Sequence, residues 1–205
     1  MYEHLSPPIA GFETVKRFWD KTRNITITKL LPGEFYVSTS QEMISTVLGS
    51  CVSACLWDES NKIGGMNHFL LPTITGENGS SNSYALRYGN WIMESLINEL
   101  LKHGAKRQHI RAKVFGGASI KDGLPNSDRN VKFILAHLML ENIPLVGENT
   151  GGNLPRKVMF NPLTGRTQIK ALQKTRNDTI QVREQQYNKD LRYYEFDSNI
   201  ELFKS

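Results

Sequence analysis

The stretch from Met43 to Pro72, MISTVLGSCVSACLWDESNKIGGMNHFLLP, constrains the fold more than any other part of the chain. Its apolar runs are too short for helices and are broken by Gly, Ser, Asn and charged residues, the pattern of strands joined by turns. If VSACLWD and KIGGMNHF form an antiparallel pair that turns at Glu59-Ser60, Cys51 faces His68, Ser53 faces Met66 and Cys55 faces Gly64. A slip of one residue would send these side chains to opposite faces, so the register decides whether the cysteine and the histidine can meet.

The remaining elements follow in order. After Pro32-Gly33, EFYVST reads as a strand, and Thr73 to Ser83, rich in Gly, Ser and Asn, reads as a surface loop. From Tyr84 to His103 the residues Leu86, Met93, Leu96, Ile97, Leu100 and Leu101 recur at helical spacing, and Gly104 stops the helix. A second helix is expected over Asp128 to Asn142, carried by Val131, Ile134, Leu135, Leu138 and Met139. HIRAKVFGGAS between the helices, and PLVGENTGG and RKVMFNPLTGRTQIKAL after them, read as strands, the last two joined through Asn161 to Gly165. This order predicts an α/β layered sandwich of mixed sheet and helices. Residues 1–29 are expected to be an N-terminal appendage, in which Phe12, Val15, Phe18 and Trp19 fall at helical spacing. Residues 30–172 form the expected catalytic domain. Residues 173–205 form a polar C-terminal extension in which Ile180, Tyr187, Leu191 and Tyr194 share one helical stripe after a cap at Asp178.

Composition narrows the class. With 205 residues, 39% apolar and 22% charged, the chain has the balance of one globular domain rather than of a disordered or membrane protein. Its first residues hold no apolar run of secretion-signal length, and no later stretch approaches a membrane span, so a cytoplasmic protein without membrane insertion is expected. Cys51 and Cys55 lie too far apart in an extended segment for a disulfide and read as free thiols of a reducing compartment. No C-x-x-C or H-x-x-x-H spacing occurs, so no metal site is expected. The net charge of +5 favours an acidic partner, but the basic residues form no compact patch with interleaved aromatics, which argues against nucleic acid.

Chemistry concentrates at Leu48-Gly49-Ser50-Cys51. A thiol directly after a small, flexible turn sits where successive backbone N–H groups can converge, so Gly49 and Ser50 are the oxyanion-hole candidates. Amide hydrolysis needs a nucleophile, a stabilised oxyanion and a proton for the departing nitrogen, and Cys51 beside His68 meets the first and last needs. Cys55, in a strand interior, reads as core, and His4, His103, His109 and His137 lie on helices or polar segments. No acid is close in sequence to orient His68. Of the nearby hydroxyls, Ser45 shares the face of Cys51 in an uninterrupted strand; a bulge at Gly49 would bring in Thr46 instead.

The segments TVLGSCVSACLWD, GGMNHFLLP, LRYG, KVFGGA, RN, GENTGG and RKVMFNPLTGR, in this order, resemble the CheD family of chemoreceptor glutamine deamidases over roughly Leu30 to Leu172. The resemblance implies a fold similar to the catalytic domain of cytotoxic necrotizing factor toxins. It also implies hydrolysis of receptor glutamine side chains to glutamate through a cysteine thioester, without a cofactor. Carried over by position, Cys51 is the nucleophile, His68 the base, and Ser45 stands where some members hold the third residue. Methyl-accepting chemotaxis receptors would be the protein substrate, and a CheC-type phosphatase a further partner. Two departures are visible: Ser127 replaces a Gly before the Arg-Asn pair, and Asn149 stands where an Asp is expected. The loops Thr73 to Ser83 and Gly116 to Asn126 are the expected carriers of specificity. The competing readings are a non-catalytic adaptor on the same fold, which would bind receptors or a phosphatase, and a general cysteine amidase.

Overall fold

The computed structural model describes residues 5–72, 80–119, 127–173 and 178–191. Among the described residues, ten strands fall into two five-stranded mixed sheets, which with the helices make the layered α/β sandwich expected. Strands β1 (Lys16–Asp20), β2 (Ile25–Lys29), β4 (Glu42–Leu48), β9 (Arg156–Phe160) and β10 (Thr167–Ala171) form the first, in the order β1-β2-β4-β9-β10. The second, ordered β3-β6-β5-β7-β8, contains β3 (Phe35–Ser38), β5 (Val52–Asp58), β6 (Ile63–Asn67), β7 (Arg111–Gly116) and β8 (Leu145–Thr150). The pairs β2–β4 and β7–β8 are parallel and the other neighbours antiparallel.

The sheets pack face to face, as the edge-on contact of Trp57 on β5 with Phe160 on β9 shows. Helices α1 (Ser80–Lys102) and α2 (Ser127–Leu140) cover the other face of the second sheet. Every residue of β5 is buried, as a strand must be when sheet lies on one side and helix on the other. Both helices end in the same way. Gly104 (φ +100°) and Asn142 (φ +53°) take the left-handed conformation after the last turn, and the next N–H groups, of Ala105 and Ile143, return to Leu100 O and Leu138 O.

Three expectations change. The segment expected as an appendage supplies β1 and β2, and the helical spacing read over Phe12 to Trp19 does not become a helix. Lys16–Asp20 is a strand, because Asp20 accepts from the N–H groups of Thr22 and Arg23 and turns the chain back onto ITITK. The loop expected over Thr73 to Ser83 gives way to α1 from Ser80, and its earlier part lies outside the described residues. Leu86, expected on the buried face of α1, is 47% exposed, and Met139 of α2 is 73% exposed. The hairpin at Asn161 to Gly165 forms as expected, with Asn161 Oδ1 accepting from Leu163 and Thr164 N–H.

One buried carboxylate ties the first sheet to the second. Glu42 on β4 is 1% exposed and accepts from Arg17 on β1, Thr28 on β2, and Tyr36 and Ser38 on β3. A buried charge with this many donors is held by hydrogen bonds as well as by its ion pair.

Candidate active site

The turn between β4 and β5 carries Gly49, Ser50 and Cys51 across from one sheet to the other. All three carbonyls are engaged from behind. Ala118 N–H donates to Gly49 O (2.8 Å), Asn130 Nδ2 to Ser50 O (3.0 Å) and Gly117 N–H to Cys51 O (2.8 Å). The Phe-Gly-Gly run is required for this arrangement. Gly116 has φ +108°, and a Cβ there would overlap Cys51 O. Asn130, of the Arg-Asn pair at the start of α2, also accepts from Leu71 N–H through Oδ1 (2.8 Å), so one side chain braces both the cysteine turn and the segment after His68. With the carbonyls drawn away, the N–H groups of residues 49 to 51 point to a single spot, the geometry of an anion-binding nest.

His68 follows β6 and is 2% exposed. Its backbone is fixed on both sides, N–H to Glu34 O and O to Gly33 N–H. The observed register pairs Cys55 with Met66 and bridges Val52 to Phe69, two residues away from the expected alignment, because the turn spans four residues, Glu59 to Lys62. A two-residue slip preserves the face. Cys51 and His68 therefore still converge, diagonally rather than directly opposite.

The hydroxyl beside the histidine belongs to Thr46, not Ser45. Thr46 Oγ1 lies 2.7 Å from His68 Nδ1 and also donates to Leu30 O (3.0 Å). A hydroxyl has one proton, so with that proton on Leu30 O, Thr46 accepts from Nδ1–H. Nε2 then keeps its lone pair; it is buried without another hydrogen-bond partner. Ser45 instead stays within the first sheet, with its carbonyl accepting from Leu30 N–H.

The fourth member was not foreseen. Helix α3 (Asp178–Asp190) brings Glu184, 3% exposed, into the nest. Its Oε1 accepts from Gly49 N–H (2.9 Å) and Cys51 N–H (3.2 Å), and its Oε2 from Ser50 N–H (3.0 Å) and Ser50 Oγ (2.6 Å). The sequence held a signal: Glu184 is four residues after Ile180 and three before Tyr187, so an acid occupies a position of the apolar stripe. Tyr194 of that stripe lies outside the described residues.

These surroundings set the protonation states. Burial, followed by the charge of Glu184 and its hydrogen bond, pushes the Cys51 thiol well above its ordinary range. A histidine beside a cysteine ordinarily favours the thiolate, but here burial and the Glu184 carboxylate outweigh it and keep Cys51 protonated. Burial likewise pushes His68 down to about 4, so the ring is neutral at pH 7. The unfolded chain, with its histidine near 6.5, binds more protons between those values, so stability falls as pH drops from 6.5 toward 4. The expected loss is about 3 kcal/mol by urea unfolding, and His68→Asn should make the acid slope correspondingly shallower.

Cys51, His68 and Glu184 each place one potential ligand atom within 4.8 Å of the others. Both carboxylate oxygens are already committed to backbone and hydroxyl donors, so the trio is organised around an anion rather than a cation. A thiol, an imidazole held by a hydroxyl and a nest of N–H groups are the parts needed for acyl transfer.

Comparison with known proteins agrees. The family model described as CheD chemotactic sensory transduction matches residues 70–171. A protein of Hahella chejuensis named "Probable chemoreceptor glutamine deamidase CheD" is 39% identical over 201 residues, 96% of this chain and 95% of its own length. Proteins with the same name from Halorhodospira halophila and Methylobacillus flagellatus are each 42% identical, over 95% and 97% of this chain and 93% and 100% of their own. The chain belongs to the CheD family. Among solved structures, the hypothetical protein YfiH of Bacillus licheniformis overlaps 58% of this chain and 51% of its own, at 11% identity and a TM-score of 0.37, too low to bear on the CheD fold. The two departures noted in this CheD sequence have structural places: Ser127 is buried at the first residue of α2, and Asn149 Oδ1 accepts from Arg156 Nη1 (2.6 Å).

Proposed function

We propose that this chain hydrolyses the side-chain amide of glutamines in chemoreceptors, giving glutamate and ammonia. The observation that carries the reading is the chain Thr46–His68–Cys51 ending at a nest of N–H groups filled by a carboxylate, the group this reaction forms. Cys51 is the nucleophile, His68 the base and Thr46 the group that orients it. The Cys51 thiol passes its proton to His68 Nε2 as sulfur attacks the amide carbon. The oxyanion so formed is stabilised by the N–H groups of Gly49 and Cys51, at about 3–4 kcal/mol per donor. His68 then protonates the departing nitrogen, ammonia leaves, and water hydrolyses the thioester with His68 again taking a proton.

The substrate class comes from the names that the relatives bear, and the family resemblance adds a CheC-type phosphatase as a second partner. Action in the cytoplasm belongs to the same proposal and fits two free, buried thiols. No helix among the described residues is long and apolar enough to cross a membrane.

The test is incubation with receptor cytoplasmic fragments, followed by peptide mass spectrometry and an ammonia assay. Deamidation should raise the mass of particular peptides by about one dalton and leave the peptide bonds intact. Binding without any mass change would identify an adaptor instead. The same assay separates the two hydroxyls. Thr46→Val should lower kcat roughly 10- to 100-fold by freeing the His68 ring, whereas Ser45→Ala should change it less than about threefold.

A further inference from the structure

Helix α3 meets the body of the protein through the stripe Ile180, Glu184, Tyr187 and Leu191, while Val182 on its far side is 58% exposed. Ile180 and Glu184 close one side of a crevice whose other wall includes Leu30, Pro32, Thr46 and His68. The Tyr187 hydroxyl is hydrogen-bonded to that of Tyr88, and its ring lies over Gly33, where no side chain would fit. Tyr84 Oη donates to Leu191 O (2.6 Å), gripping the end of the helix. The crevice beside the nucleophile therefore has the shape and donors to hold an α-helix.

What this helix inserts is chemically specific. The Glu184 carboxylate is met by three backbone N–H groups and a hydroxyl from the turn that carries Cys51. Glutamate is the product of glutamine hydrolysis. We propose that α3 is a built-in product mimic seated in the substrate-helix groove, and that a substrate helix binds with its target glutamine in the place of Glu184. Such a helix carries an apolar residue four positions before the glutamine, an aromatic residue three after it and an aliphatic residue seven after it, matching Ile180, Tyr187 and Leu191. The inference rests on the reading of Cys51 as a deamidating nucleophile.

The chemistry of the seat follows. A glutamine at this point would set its carbonyl oxygen where Oε1 lies, between Gly49 and Cys51 N–H, and its NH2 near Oε2, donating to Ser50 Oγ and giving up the bond that Ser50 N–H makes to the carboxylate, so the seat holds the product more tightly than the substrate. The Cys51 Sγ–carbon bond forms, the carbon–nitrogen bond breaks, ammonia leaves with the proton carried by His68, and water restores the thiol and leaves glutamate. The raised Cys51 thiol fits a resting state closed by its own product. Helices from outside must wait for α3 to leave.

Glu184→Gln turns α3 into a tethered substrate. In the full-length variant, peptide mass spectrometry should find glutamate at position 184, about one dalton heavier than the encoded glutamine, and the Cys51→Ala/Glu184→Gln double variant should retain glutamine. In parallel, Tyr187→Ala and Leu191→Asp unseat α3 without altering Cys51, His68 or Thr46. Each should raise iodoacetamide labelling of Cys51 and receptor deamidation about tenfold, the gain when a closed state populated roughly ten to one is opened. A glutamine left unconverted at position 184 of the single variant, beside deamidated receptor glutamines, would overturn the product-mimic register and leave the deamidase reading standing. The same unconverted glutamine, with no receptor glutamine hydrolysed by any variant or by wild type, would overturn both. Conversion in the double variant would also overturn the proposal, since it would not require Cys51. If Glu184→Gln does not fold, the unseating pair decides, and unchanged labelling with unchanged deamidation overturns it.

Discussion

Cys51→Ala should bring the deamidation of receptor glutamines to background, a loss of roughly 10⁴- to 10⁶-fold, because no other group at the site can form the acyl intermediate. Cys55, the second thiol, is enclosed in the core on β5, and burial pushes its thiol up. It cannot stand in. The fold should be retained. The substitution removes a single sulfur from a turn held by its backbone, at a cost of about 1 kcal/mol, so the variant should melt within a few degrees of wild type. Full loss of activity with an unchanged melting curve assigns the effect to chemistry. Retained activity with Ala at position 51 would remove the nucleophile from the mechanism.

The second large effect concerns stability and lies far from the nucleophile. Glu42→Ala should destabilise the protein by about 3–5 kcal/mol, because it leaves Arg17 as a largely buried charge without its carboxylate and the hydroxyls of Thr28, Tyr36 and Ser38 without their acceptor. For a chain of this size that corresponds to a fall in Tm of about 10 °C or more. Glu42→Gln should recover only part of the loss, since its NH2 would face donors. Arg17→Met in the Glu42→Ala background should recover more, because the stranded charge is then gone. A melting curve for Glu42→Ala that overlays wild type would show that the network adds nothing to stability.

The sequence disclosed most of the strands, the two helices of the core and the pairing of Cys51 with His68, because these are written in local patterns: apolar runs, Gly-Asn punctuation and helical spacing. It missed what depends on sheet membership. The choice of Ser45 assumed that one strand runs from residue 45 to residue 51, so that face parity carries across. In the fold, β4 belongs to one sheet and β5 to the other, and the turn at Gly49 and Ser50 resets the parity. Glu42, Ile44, Thr46 and Leu48 then form the inward face, and Thr46 reaches the histidine. ITITK is hard to read as a strand because the helical spacing of Phe12 to Trp19 masks the Asp20 turn that pairs it with β1, and its other partner, the parallel β4, lies a crossover away. Glu184 was hidden by distance, 133 residues from Cys51, where its polarity read as solvent exposure.

The carbonyls behind the Cys51 turn have a further consequence for rate. The bonds from Ala118 N–H to Gly49 O and from Asn130 Nδ2 to Ser50 O fix the two peptides that carry Ser50 and Cys51 N–H before any substrate arrives, so these dipoles are already oriented when negative charge develops on the amide oxygen. Catalytic power is thereby stored in Ala118 and Asn130, residues that hold the turn from the side away from the nest. The site can lose its speed through a slackened scaffold while every side chain that does chemistry remains in place.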